Sequence, residues 1–377
     1  VSRLVELQQC GQSFWLDNLT RAMLRNGELR RRIDEEGLSG ITANPSTFAI
    51  ALSSGDYDAD VRRLAGEGHA TDEIYEQLLV GDVQEACDLL NGVHGATSRA
   101  DGYVSLEVSP RLAHDAVGTV REARKFRDLV NRPNLLIKVP GTVAGFLAIQ
   151  QLIYEGISVN VTLLFSLPAY EAVIEAFVSG LERRSAERRS LGDVTSVASF
   201  FVSRIDRLVD QLLAQRDRPS EGRALTTALR GKAAVASAKL AYRSFRRAFG
   251  GERWDRLAVK GASVQRPLWA STSTKDPLYR DVVYVESLIG RDTINTMPEQ
   301  TARAFGDHGV IRADAIEEGV EEAARAIQDL SEAGIDLHCV AWQLGHEGIK
   351  LFTDAFDRAH RELEEKRRQC LSKPAAA

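Results

Sequence analysis

Residues 135–165 read LLIKVPGTVAGFLAIQQLIYEGISVNVTLLF. Two apolar runs, Leu135 to Val139 and Ile157 to Phe165, flank a stretch that turns at Gly141 to Gly145 (GTVAG) into a helix. Both runs are nearly continuous rather than alternating, as expected for strands covered on both faces of a parallel sheet. GTVAG superficially resembles a phosphate loop, but it lacks the GxxxxGK[ST] pattern and a following lysine, so it reads as a turn into the helix.

The same alternation extends outward in both directions. Upstream candidate strands are FWLDN (Phe14 to Asn18), SGITAN (Ser39 to Asn44) and YVSLEV (Tyr103 to Val108). Downstream come SVASFFV (Ser196 to Val202), VQRPLWAS (Val264 to Ser271) and TINTM (Thr293 to Met297). Between them, Tyr170, Val173, Ile174, Phe177, Val178 and Leu181 recur at helical spacing just after Pro168. Ile205, Leu208, Val209, Leu212 and Leu213 do the same, as do Ile316, Val320, Ala323 and Ile327. Eight strands alternating with helices predict an α/β chain folded as a (β/α)8 TIM barrel with helical insertions; an open doubly wound sheet would alternate similarly. No Pro/Gly/Ser linker and no short repeat divides the 377 residues, so 1–377 is expected to form a single barrel domain. Residues 55–100 are mostly helical and long for one crossover, which marks them as an insertion. Residues 180–195 are expected to be a polar surface excursion, 348–369 a final helix, and the closing SKPAAA a frayed tail.

Composition narrows the function classes. The chain carries 48 basic and 53 acidic side chains, a formal net charge of −5, without the basic excess of a nucleic-acid binder. Charges interrupt every apolar stretch, so no membrane span is expected. The first residues, VSRLVELQQCGQSF, lack a signal peptide's apolar core, and a start at Val1 without methionine suggests a processed or trimmed end. Cys10, Cys87, Cys339 and Cys370 form no CxxC pair, and the seven histidines are scattered without HExxH. Reduced thiols, a cytoplasmic location and no metal site are therefore expected.

Nine lysines stand against 39 arginines, and only Lys138 lies inside an apolar strand. A buried ammonium is costly, and desolvation favours the neutral amine that can attack a carbonyl. The alternative is a lysine snorkelling at a strand end or paired with a carboxylate. Two carboxylates have comparable settings: Asp17 in FWLDN and Glu107 in SLEVSP. Carboxylates at the C-terminal ends of barrel strands point into the region where acid/base work is done, although either alone would more often serve an arginine or a helix cap. Asn44 in TANPS, Asn160 and Thr162 in NVTLLFS, Ser199 in ASFF and Ser271 in WAST add polar groups at other strand ends. Each is able to cap the following helix; together they suit a polyhydroxylated substrate. Arg204 after FFVS and Lys275 after WASTST supply positive charge at late strands, where barrels often hold phosphate.

These motifs resemble the transaldolase family, in its longer bacterial form within the class I aldolase superfamily. The matching segments are GQSFWLDNLTR, GLSGITANPSTF, GYVSLEVSPRLAHD, NLLIKVPGTVAG, GISVNVTLLFS, VASFFVSRID, PLWASTSTKDPLY and DTINTMPEQT, with GHEGIKLFTDAF near the C-terminus. The resemblance implies a (β/α)8 barrel and a Schiff-base mechanism that needs no cofactor. It matches Lys138 to the Schiff-base lysine and Asp17 to the acid/base at the cleaved bond. Glu107 matches the proton-transfer partner that works through a water held near Thr162. Asn44, Asn160 and Ser199 match residues that hold the dihydroxyacetone portion, and Arg204 and Ser271 match the phosphate side. Short relatives carry an arginine after GAS; this chain has WASTSTK, which puts Lys275 in its place.

The expected activity is that of a transferase of the non-oxidative pentose phosphate pathway. It moves a dihydroxyacetone unit from sedoheptulose 7-phosphate or fructose 6-phosphate to erythrose 4-phosphate or glyceraldehyde 3-phosphate. Sugar phosphates are the expected partners, with no nucleic acid and no membrane; a homodimer is an assembly the sequence leaves open. The nearest alternative is a fructose-6-phosphate aldolase-like enzyme that releases free dihydroxyacetone; such relatives are much shorter and lack a counterpart of Glu107. A pyridoxal-phosphate enzyme using Lys138, and a catalytically silent sugar-phosphate-binding barrel, are more distant readings.

Overall fold

Eight short strands, each almost wholly buried, form the centre of the computed structural model, which describes residues 2–216 and 228–372. They are β1 (Gln12–Leu16), β2 (Leu38–Thr42), β3 (Tyr103–Glu107) and β4 (Leu135–Pro140), followed by β5 (Val159–Leu164), β6 (Ser196–Phe201), β7 (Arg266–Ala270) and β8 (Thr293–Met297). All pair in parallel and in chain order, and β8 closes on β1 from Gln12↔Thr293 through Leu16↔Met297. The fold is therefore a closed (β/α)8 barrel, not an open sheet. The near-continuous apolar runs follow from this closure, since each strand meets the barrel interior on one face and helices on the other.

Several crossover helices begin on caps supplied where the strands end. Asn44 accepts from the Ser46 and Thr47 amides to start the helix Pro45–Leu52. Thr142 caps Val143–Glu155, so the GTVAG turn is an N-cap and first helical turn, as its sequence suggests. Ser166 caps Leu167–Ala186, with Pro168 in the first turn, where its missing N–H costs nothing.

The amino-terminal end of the barrel is closed by polar contacts. Asp101 accepts from Trp15 Nε1 at 2.6 Å and also from the Ser13 hydroxyl. Arg266 donates to Ser13 Oγ at 2.6 Å and to the Thr293 carbonyl at 2.7 Å. The Trp15 indole lies flat against Gly40: a Cβ at residue 40 would sit 2.3 Å from the ring.

The segment between β2 and β3 holds helices Asp58–Gly66 and Thr71–Ala96. Arg21 ties them to the turn after β1. Its guanidinium pairs with Asp82 at 2.7 Å and lies 4.0 Å from the centre of the Tyr57 ring, while Tyr57 Oη donates to Asp82 at 2.6 Å. Across these helices runs the C-terminal helix, Leu337–Ser372, with Tyr75 meeting Phe356 and His360 at ring distances of 5.2 and 4.3 Å.

Three boundaries differ from the sequence reading. The final helix begins at Leu337 rather than residue 348, because Val340 and Leu344 continue its buried stripe. The supposed excursion over 180–195 is helical to Ala186, and Leu181, Leu191 and Val194 are buried beneath its charged residues. Ile316 belongs to a 3₁₀ turn, separated from the helix Val320–Glu332 by Gly319 at φ +61°. The last residues of SKPAAA, 373–377, lie outside the described residues.

Two glycine substitutions separate packing from propensity. Gly40→Ala should destabilise the barrel by about 1–3 kcal/mol, since the tryptophan must leave its place. Gly81→Ala, inside Thr71–Ala96 with nothing within 4 Å of the added methyl, should stabilise by about 0.5–1 kcal/mol. Urea unfolding of both variants checks the opposite signs.

Candidate active site

Parallel register decides which side chains meet inside the barrel. Glu107 pairs with Lys138 across β3 and β4, and Lys138 with Asn160 across β4 and β5. Paired residues on neighbouring strands point the same way, so the three side chains converge. Lys138 Nζ lies 3.4 Å from Glu107 Oε2 and donates to the Ala43 carbonyl at 3.3 Å. Both side chains are almost wholly buried. Burial pushes the Glu107 carboxyl up to about 7; the Lys138 charge opposes that rise and the Asp17 charge adds to it.

A cavity of about 200 Å³ opens above this pair at the carboxyl ends of the strands. Asp17, Asn44, Lys138 and Ser199 line its depth, with Arg204, Ser271 and Lys275 also on its wall. Glu107, Asn160 and Thr162 lie behind that wall, buried. Ser199 Oγ donates to Asn160 Oδ1 at 2.7 Å, and Asn160 Nδ2 donates to Ser105 Oγ at 2.9 Å. Both oxygens of Glu107 and the Thr162 hydroxyl are buried without a hydrogen-bond partner among the described residues. The lysine contact at 3.4 Å is thus an ion pair without hydrogen-bond alignment.

Asp17 follows the last residue of β1. Its Oδ1 accepts from Thr42 Oγ1 at 3.1 Å and from Asn44 Nδ2 at 3.3 Å. Asn44 therefore caps a helix through its oxygen and holds a carboxylate through its nitrogen. The Thr42 hydroxyl also lies 2.8 Å from that of Thr296, which links β2 to β8 beneath Asp17.

The other flank is cationic. Arg204 stands in the first turn of the helix Ser203–Arg216, with its guanidinium 5.6 Å from the Phe201 ring centre. Burial lowers its pKa, with nearby Arg207 contributing in the same direction. Lys275 donates to Ser273 Oγ at 2.6 Å; its pKa is lowered by burial and by the charges of Arg204 and Arg207. Ser271 adopts φ +55° and lies 3.1 Å from Ser203, hydroxyl to hydroxyl.

All ten residues singled out in the sequence are thus gathered in or directly behind one cavity. Thr42, Thr296 and Phe352 escaped the reading. Thr42 carried a signal: it stands two residues before Asn44, on the same side of an extended chain. Phe352 lay inside the matching segment GHEGIKLFTDAF, but nothing in its spacing set it apart from the other apolar residues there. It comes from the C-terminal helix and places its ring centre 5.9 Å from Lys138 Nζ.

The model of the transaldolase/fructose-6-phosphate aldolase family matches residues 14–363. The chain belongs to this family. It is 44% identical to transaldolase 2 of Nostoc sp. over 373 residues, 97% of this chain and 98% of that protein. It is 47% identical to a transaldolase of Thiobacillus denitrificans over 352 residues, 93% and 96% of the two chains. A Parafrankia transaldolase is 45% identical over 356 residues, 94% and 95%. No helix among the described residues is long and apolar enough to cross a membrane.

The charges around Glu107 predict how it titrates. Its carboxyl should protonate at about 7, followed by isotope-edited infrared or carbon NMR. Lys138→Met should raise that value by removing the opposing charge, and Asp17→Asn should lower it. Folding stability follows the same sign: a carboxyl raised in the folded state favours folding below about 4.3, its ordinary value, and that contribution is lost as pH rises through about 7.

Proposed function

We infer that the protein is a transaldolase that carries a three-carbon ketol unit on Lys138. The observation that carries this reading is a buried amine 3.4 Å from a carboxyl pushed up to about 7, at the base of a cavity with carboxylate and hydroxyl groups on one side and cations on the other. The family and its relatives' names point to the same activity.

In this mechanism Lys138 Nζ attacks the ketose carbonyl carbon of fructose 6-phosphate or sedoheptulose 7-phosphate. Loss of water leaves a protonated imine. Each stage moves protons between the amine, the departing hydroxyl and a neighbouring base. Glu107 suits that task because its carboxyl titrates at about 7, where taking and returning a proton cost similar amounts. Its unpartnered oxygens and the Thr162 hydroxyl are free to share a water with the reacting centre. Asp17 takes the proton from the hydroxyl on the far carbon of the bond to be broken. That carbon–carbon bond then cleaves, its electrons pass into the imine to give an enamine, and an aldose phosphate leaves. The protonated imine is the electron sink, so the chemistry asks for no further group. Asn44, Asn160 and Ser199 hold the hydroxyls of the retained fragment. Arg204, Ser271 and Lys275 receive the phosphate. An incoming erythrose 4-phosphate or glyceraldehyde 3-phosphate reverses the steps.

The deciding assay is three-carbon transfer from fructose 6-phosphate to erythrose 4-phosphate, with free dihydroxyacetone measured in parallel. Transfer without release is the expected result; release as the main product would make the enzyme an aldolase. Borohydride reduction during turnover should fix a three-carbon adduct on Lys138, located by peptide mapping. An adduct on another lysine, or persistent activity with none, would remove the central claim.

The two carboxylates should fail differently. Asp17→Ala should still load the ketose but stall before cleavage, losing roughly 10² to 10⁴ in rate. Quenched mass spectrometry should find the intact six-carbon sugar on Lys138 of that variant. Glu107→Ala should slow loading itself. A three-carbon adduct accumulating on the Asp17 variant would overturn this division.

A further inference from the structure

Beyond Lys275 a second cavity, of about 370 Å³, continues away from Lys138 along the helix Ser203–Arg216. Lys275 lines both cavities, Arg204 only the inner one and Arg207 only the outer one. The cations are therefore ordered outward from the reacting amine: Arg204, then Lys275, then Arg207. Arg204 and Arg207 are three residues apart on one helix, close enough to share a flank.

Charge distribution sets this track apart. The chain is net acidic, and many of its arginines are matched to carboxylates, such as Arg253 to Glu175 and Glu182, or Arg32 to Glu28 and Glu299. Among the described residues, neither Arg204, Arg207 nor Lys275 has a carboxylate within ion-pair distance. The charges of Arg204 and Arg207 instead act against that of Lys275. Three grouped cations without an ion-pair partner among the described residues, felt by Asp17 and Glu347 only at longer range and joined on the outer wall by Arg230, are poised for an anion.

Of the three acidic residues on the outer wall, Asp276 accepts from the Leu278 amide at 2.9 Å, and the other two are engaged with the scaffold. Asp206 accepts from the Ala234 amide at 2.7 Å and from Tyr284 Oη at 2.8 Å. Asp210 accepts from the Gly231 amide at 3.0 Å and from Tyr279 Oη at 2.6 Å. Their oxygens are thus engaged in fixing the loop after β7, which carries Lys275, to the helix that carries both arginines.

We propose that Arg207, together with Lys275, forms an outer phosphate subsite that favours the longer of the phosphorylated ketoses. This rests on the transaldolase reading, in which the ketose carbonyl is fixed at Lys138. With that carbon fixed, the phosphate of a seven-carbon ketose lies one bond further out than that of a six-carbon ketose. Arg204 and Lys275 serve the shorter sugar, and Lys275 and Arg207 the longer.

The test compares sedoheptulose 7-phosphate with fructose 6-phosphate as donors to Arg207→Ala, Arg207→Lys and Arg204→Ala. Arg207→Ala should lower kcat/KM for the seven-carbon donor about tenfold, as for a lost charge-assisted contact, through KM and not kcat. The six-carbon donor should change less than about twofold on the same grounds. Arg207→Lys should recover part of the loss, and Arg204→Ala should impair both donors. Equal losses on both donors, a loss in kcat alone, or no change with Arg207→Ala would overturn the subsite. Failure of the parent enzyme to transfer from either donor would instead sink the transaldolase reading. Calorimetric titration of the two ketose phosphates against the parent and Arg207→Ala then still reads the difference in chain length.

Discussion

A lysine and a glutamate share the buried interior of the barrel at 3.4 Å, and much of the surrounding structure is organised around that contact. Removing either charge from water costs several kcal/mol, which their attraction recovers only with good geometry. Here the geometry is imperfect, because neither Glu107 oxygen is hydrogen-bonded. A polar pair kept in this state is weak as a stabilising device. It is well suited to handing protons back and forth, because burial pushes the Glu107 carboxyl up to about 7, where neither of its forms is strongly favoured near neutral pH. The tension is tolerable because barrel closure fixes the register of β3 against β4, so Glu107 and Lys138 cannot slide apart without moving every neighbouring strand.

That closure also sorts charge across the mouth. Strands β1, β2 and β8 contribute Asp17, Thr42 and Thr296, a side rich in oxygen. The ends of β6 and β7 contribute Ser271, Arg204 and Lys275, a side rich in nitrogen. A substrate with a carbinol chain and a terminal phosphate can lie across the cavity in one direction. The loop after β7, which carries Lys275, is pinned through Tyr279 and Tyr284, so this polarity is built into the scaffold.

How much of this was legible in the sequence depended on whether the cause was local. The strands were legible because double coverage leaves continuous apolar runs, and Lys138 stood out as the one lysine inside such a run. Asn44 was readable as a cap, and GTVAG as a turn into a helix, since such signals are settled within three or four residues. The start of the C-terminal helix was not. Its first turns, LHCVAWQLGHE, mix apolar and polar residues without a clean stripe, and whether Val340 and Leu344 or Trp342 is buried depends on what the barrel presents to them. The buried residues under the charged segment before β6 were hidden for the same reason. Thr296 could not be chosen over its neighbours in TINTM, because its partner, Thr42, lies 254 positions away.

The placement of Phe352 shows how a distant segment reaches the chemistry. Strand β5 breaks its regular pairing between Val161 and Leu164, and Leu163 takes up φ +60°. This turns the Leu163 side chain toward the C-terminal helix. Gly348 meets it there: a Cβ at that position would lie 2.8 Å from Leu163 Cδ2. The helix can approach only because residue 348 has no side chain, and four residues later the same helix sets Phe352 above Lys138. An apolar ring at that point, itself part of the cavity wall, shields one side of the amine from water. A strained leucine in one strand and a bare glycine in the last helix thus shape the environment of the reacting lysine, although neither touches it.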